Sequence, residues 1–108
     1  MRKSILTKYE EYSVFSGSPA ECRHHLLFGR GMRDKAEEDG VWIPLMNSEH
    51  NMSSKGTINQ IHENPAAEKL SKMLGQVAWE KEYYRKKLNM EDDEAREAFR
   101  KRYGISYL

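Results

Sequence analysis

Apolar residues in this chain recur with two different periods. In the C-terminal half Leu70, Leu74, Val77, Tyr84 and Leu88 return at helical spacing. Asn64 followed by Pro65 has the form of an N-cap with proline at the first helical position, so the pattern predicts a helix from Pro65 to about Lys87. A shorter helix restarts at Asn89 or Met90. Glu91, Asp92, Asp93 and Glu94 occupy its first turn and Arg100, Lys101 and Arg102 its last, matching the partial charges at the two ends, and Gly104 is its natural C-terminal cap. In the N-terminal part the pattern is that of short extended segments. Ser4–Tyr9 and Glu21–Phe28 lie on either side of Ser16, Gly17, Ser18 and Pro19, a turn-rich break, and together suggest a hairpin. Between the two halves Gly29, Gly31, Gly40, Gly56 and Pro44 punctuate the chain. They leave room for a short charged helix over Arg33–Asp39 and a brief buried strand over Val41–Met46.

Composition narrows this to one small α+β domain spanning residues 1–108. At 108 residues a second hydrophobic core is not expected. With 38% apolar and 32% charged residues the core must be thin, and a metal clip would add useful stability. The 18 basic and 17 acidic residues leave a net charge of +1, so no strong overall field draws the chain to nucleic acid. A local basic patch would have to do so. No stretch has the length and apolarity of a membrane span, and the N-terminus lacks the apolar core of a signal peptide, which gives the expectation of a cytoplasmic protein. The single cysteine, Cys22, cannot form an internal disulfide and is left as a thiol or a metal ligand.

Candidate chemistry is concentrated in one region. All four histidines, His24, His25, His50 and His62, fall with Cys22 between positions 22 and 62. Such clustering of nitrogen and sulfur donors points to a site for one divalent metal, zinc by ligand type, while an open histidine-rich site also accepts nickel, manganese or magnesium. Strand alternation would put Cys22 and His24 on one face of an extended segment and His25 on the other. Arg23, Arg30, Arg33 and Lys35 surround the Gly29–Gly31 turn beside the histidine pair. They can be read as a flexible basic turn for a phosphate backbone, or as salt-bridge partners of Glu37, Glu38 and Asp39.

The stretch from Ser13 to Glu80 resembles the small phage and prophage HNH endonuclease family, whose members carry a ββα-metal site. In that family a C-x-x-C-G opening precedes His-His, a glycine-rich turn, and a Pro-Leu-C-x-x-C-His-Asn segment. Here Ser13, Val14, Phe15, Ser16 and Gly17 stand at the opening, and Pro44, Leu45, Met46, Asn47, Ser48, Glu49, His50 and Asn51 stand at the second segment. The resemblance implies that residues 13–62 form an HNH-like metal hairpin and residues 63–108 a helical region packed on it. It further implies that His24 and His50 hold the metal, with His62 as a third ligand, and that His25 is the general base that activates water. The partner so implied is DNA, or a protein complex that processes nucleic acid, and not a membrane.

The chain departs from the family in two ways. Ser13, Ser16, Met46 and Glu49 replace the four zinc cysteines, and these groups do not hold the family's structural zinc. Val41 stands where the central asparagine would orient the base histidine, and a valine cannot hydrogen-bond an imidazole. Two geometries therefore remain open. Cys22, His24, His50 and His62 can close a four-ligand structural shell, or three histidines can leave a position open for chemistry with Cys22 outside it. The closed shell corresponds to a catalytically degenerate protein that inhibits by binding, for example an anti-CRISPR that blocks an effector nuclease, and the open site to a DNA endonuclease or nickase. A small helical scaffold whose histidines bind nothing is the third possibility. Trp79, Tyr83, Tyr84 and Met73 on the long helix suggest packing against the hairpin or a protein interface. Ile105 to Leu108 suggest a core seal or a dimer contact.

Overall fold

Two four-residue strands with a helix between them form the centre of the molecule. A computed structural model describes residues 3–50, 64–86 and 93–108. Strand β1 (Cys22–His25) pairs antiparallel with β2 (Trp42–Leu45), with His24 opposite Ile43 and His25 opposite Trp42. The pairing extends beyond the strands, since Glu21 N–H donates to the Leu45 carbonyl at 2.9 Å and Leu26 N–H to the Val41 carbonyl at 3.0 Å. Pro44 is tolerated in β2 because its carbonyl accepts from Val14 N–H at 3.1 Å, on a short strand with little ladder to lose.

Helix α1 (Met32–Asp39) fills the connection between the strands. Gly40 stops it in the left-handed conformation at φ 76°, where its N–H donates to the Ala36 and Glu37 carbonyls and turns the chain directly into Val41. A single turn, α2 (Asn47–His50), follows β2. It is closed by Glu49, whose Oε1 accepts the Met46 N–H at 2.8 Å as the third helical residue does in a capping box.

Helix α3 (Pro65–Lys86) begins as its sequence predicts: Asn64 Oδ1 accepts from Ala66 and Ala67 N–H at 3.1 and 3.2 Å. It buries Ser71, Gly75 and Gln76. An added Cβ at Gly75 would lie 2.9 Å from Leu26 Cβ and 3.2 Å from Val41 Cγ1, so the helix backbone rests directly on the sheet. Helix α4 (Glu94–Tyr103) presents Ala95, Phe99 and Tyr103, one residue per turn, to α3 and the core. The core is Leu26, Leu27, Ala36, Val41, Ile43, Leu45, Phe99 and Tyr103. The C-terminal tail is pinned by Gln76, whose Oε1 accepts from Tyr107 N–H at 2.5 Å and whose Nε2 donates to Ser106 Oγ at 2.8 Å. No helix among the described residues is long and apolar enough to cross a membrane.

The α+β class is the one the pattern predicts, with a different hairpin. Ser4–Tyr9 does not form a strand. The Ser4 hydroxyl donates to the Trp42 carbonyl at 2.6 Å and accepts from Leu6 N–H at 3.0 Å, which curls the segment into a turn beside β2. Asp39 is a tie between helices that the sequence does not announce. Its carboxylate accepts from Trp79 Nε1, the Arg102 guanidinium and the Tyr103 hydroxyl, from α3 and α4. Burial, then the adjacent Asp39 carboxylate, drives the Tyr103 phenol far above its ordinary pKa.

Candidate functional site

Strand β1 sorts its four side chains by the period of two. His24 points toward α2 and α3 and is completely buried; His25 points toward α1 and is 8% exposed. The separation of the two histidines onto opposite faces is the one alternation predicts.

On the first face the His24 Nε2 lies 2.8 Å from Ser71 Oγ, and the Ser71 hydroxyl lies 2.9 Å from the Leu26 carbonyl. A carbonyl can only accept, so Ser71 donates to Leu26 and accepts from His24 Nε2–H. That assignment places the lone pair of the ring on Nδ1. Metal-binding histidines characteristically fix their tautomer through a hydrogen bond at the other ring nitrogen, and Ser71 meets that requirement. His50 approaches from α2 with its ring centroid 5.0 Å from that of His24 and the planes inclined at 63°. Two imidazoles bound to one tetrahedral cation, with metal–nitrogen distances of about 2.0–2.1 Å, have centroids roughly 5 Å apart. An edge-to-face contact of two rings falls in the same range, about 4.5–7 Å between centroids, and the inclination of 63° is of that kind. The Phe28 ring, 5.6 Å from His24, completes an apolar wall.

Cys22, the other predicted ligand among the described residues, does not gather with this pair. Among the described residues there is no group of three or more His, Cys, Asp or Glu arranged to hold a metal. His62 and Asn51 lie outside the described residues. The Cys22 thiol donates to the Leu45 carbonyl at 3.5 Å, and burial, followed by the negative charges of Glu21 and Glu49, raises its pKa above the ordinary thiol value. It is held as a neutral thiol.

On the opposite face His25 meets α1. Its Nε2 lies 3.5 Å from Glu37 Oε1, and Arg33 Nε donates to its Nδ1 at 3.5 Å. Burial pushes its pKa below the ordinary histidine value, and Glu37 restores only part of that loss while Arg33 and Arg23 add to it. The imidazole is thus neutral at neutral pH, the protonation state a base requires. Arg23 pairs with Glu37 at 3.0 Å and lies over the Trp42 ring, 3.9 Å from its centroid. Of the four predicted phosphate contacts, Arg23 and Arg33 meet at His25, and Arg30 is exposed in the preceding turn. Lys35 is used elsewhere: its ammonium donates to the Arg102 carbonyl at 2.9 Å, closing the last turn of α4.

The four positions that carry cysteine in the resembled family come together. Ser13 Oγ donates to Glu49 Oε1 at 2.6 Å, and Ser16 Oγ lies 3.5 Å from Met46 Sδ. Phe15 and Ser16 N–H both turn in toward Ser13 Oγ, at 3.1 and 3.3 Å. Val41 is fully buried in the core, with its N–H on the Ala36 carbonyl and its carbonyl accepting from Leu26.

Ser71, and the place of Glu37 beside His25, are not foreseen in the sequence. Both had a signal: Ser71 and Gly75 are small residues four apart in a helix otherwise rich in long side chains, and Arg33 and Glu37 are four apart in α1 and so share one face. No family model, curated protein or solved structure matches the chain.

Proposed function

We propose that the protein is an HNH-like, metal-dependent phosphodiester hydrolase that acts on DNA, of phage type and working in the host cytoplasm. In this reading His24 and His50 hold one divalent cation, zinc by the nature of its ligands, with His62 as the third donor, and His25 is the general base. The approach of the His24 and His50 rings to 5.0 Å carries the proposal.

A bound cation would supply a Lewis acid for a phosphate oxygen. The chain supplies the rest. Ser71 keeps His24 in the tautomer whose Nδ1 has the lone pair, and Glu37 beside Nε2 gives His25 the orientation that Val41 cannot. Because Arg33 Nε–H donates to Nδ1, the lone pair of the neutral ring lies there, and Nδ1 is the basic nitrogen of His25. Arg33, which now donates to it, has a natural alternative in the substrate phosphate, and its transfer would open Nδ1 to water. Arg23 and Arg30 extend the cationic surface for the backbone. The purified protein should nick supercoiled plasmid with zinc, manganese, nickel or magnesium added, and His25→Ala should lower the rate by about 100-fold or more. Absence of cleavage with every metal contradicts the proposal.

A second reading, a non-catalytic HNH-like protein that inhibits by binding, for instance an inhibitor of a CRISPR effector nuclease, is favoured by the near-complete burial of His25 and by Val41 at the asparagine position. It predicts metal binding without nicking, together with direct association with a purified effector nuclease.

A further inference from the structure

Helix α3 buries its small side and exposes its large one. Its inward residues are Ser71, Gly75 and Gln76, because the backbone lies too close to Leu26 and Val41 for anything bulkier at Gly75. Its outward residues are Leu70, Leu74, Val77 and Tyr84, which are 63%, 49%, 50% and 38% exposed. With Lys81 they fall at alternating intervals of four and three residues, the a/d repeat of a helix seam. The seam runs about 21 Å along α3 at 1.5 Å per residue, and at 100° per residue it covers an arc of about 80°, narrow enough to suit one partner helix. A row of large apolar side chains left in water on a thin domain marks an interaction surface.

Charge decides what fits it. Every exposed charged side chain of α3 is basic: Lys69, Lys81, Arg85 and Lys86. Of its three acids, Glu68 is partly buried, Glu80 is 12% exposed and pairs with Arg96 of α4, and Glu82 serves both Arg85 and Lys86. A second copy of this chain would bring the same basic rim against itself, and in a parallel pairing would set Lys81 against Lys81. We propose that the Leu70–Leu74–Val77–Tyr84 seam of α3 docks an amphipathic helix of a partner protein whose apolar stripe is flanked by aspartate and glutamate. Lys81, in the middle of the seam, selects a partner with a carboxylate at the facing position, which fixes register as well as sign. The surface is separate from the His24–His50 pair and does not depend on a metal.

The test uses the full chain and two synthetic helical peptides of about four heptads, identical in leucine at a and d, one with glutamate and the other with lysine at e and g. Binding is followed by fluorescence anisotropy. The glutamate peptide should bind, more weakly as salt is raised, and the lysine peptide should not. Leu74→Glu combined with Val77→Glu should weaken binding by about tenfold or more with the circular dichroism melt unchanged, because both side chains are exposed. Lys81→Glu with Arg85→Glu should transfer the preference to the lysine peptide. Equal binding of both peptides, or of neither, overturns the proposal. So does a wild-type dimer in sedimentation that the Leu74→Glu, Val77→Glu variant dissolves, or seam-dependent binding to phosphatidylserine vesicles without peptide binding.

Discussion

Ser13 and Glu49, 36 positions apart in sequence, meet through a hydrogen bond of 2.6 Å from hydroxyl to carboxylate. The same Glu49 oxygen accepts the Met46 N–H at 2.8 Å, so one carboxylate joins the N-terminal turn to the start of α2. Burial opposes its charge, but the hydroxyls of Ser13 and Ser16 and the Met46 amide together leave its pKa below the ordinary glutamate value. Ser13→Ala should therefore lower stability by about 1–3 kcal/mol, the cost of losing a charge-assisted bond at a largely buried hydroxyl. Urea unfolding measures it.

The convergence of Ser13, Ser16, Met46 and Glu49 makes a second prediction. If these positions keep the geometry of a cysteine knuckle, changing all four to cysteine should create a site for one tightly bound structural zinc, with the cobalt-substituted form showing tetrahedral thiolate absorption. A variant that folds without taking up metal would show that the backbone has drifted from that geometry.

His25 sets a pH dependence. Because its folded pKa is depressed, the unfolded chain binds the proton more readily, and stability rises with pH between the two values. The contribution is complete above the unfolded value of 6.5 and is lost as pH falls from there through the folded pKa. Melting temperature should drop below pH 6.5, and His25→Gln should flatten that part of the profile.

Gly75→Ala tests the close approach of α3. Alanine gains up to about 1 kcal/mol of helix propensity. Its Cβ would meet Leu26 Cβ at 2.9 Å and Leu27 Cγ at 3.0 Å, and overpacking of this kind costs about 1–3 kcal/mol. A net loss of stability of about 1 kcal/mol is expected in denaturant unfolding.

What the sequence conveyed was local. The Asn64 and Pro65 start of α3, the Gly104 stop of α4, the strand within Val41–Met46 and the opposite facing of His24 and His25 all follow from periods and caps, and all are present. Decisions made between distant residues were not legible. The Leu70, Leu74, Val77 periodicity identified the helix but not its inner face, because the sheet selects the small residues for contact. Trp79 reads in sequence as packing on the hairpin or as part of an interface; in the fold it packs edge-on against Phe99 and Tyr103 of α4 and donates to Asp39. Lys35 sits among arginines in sequence yet closes α4, whose last turn lies 67 residues further along.

The His24–His50 pair is the centre of the functional account, and metal titration of protein purified without a histidine tag tests it most directly. Zinc or cobalt should bind with one equivalent per chain, Cys22→Ala should leave that stoichiometry unchanged, and His50→Ala should abolish it while the fold is retained, since His50 lies on a single surface turn. Failure of the wild-type chain to bind either metal, or binding unaltered by His50→Ala, would contradict the account.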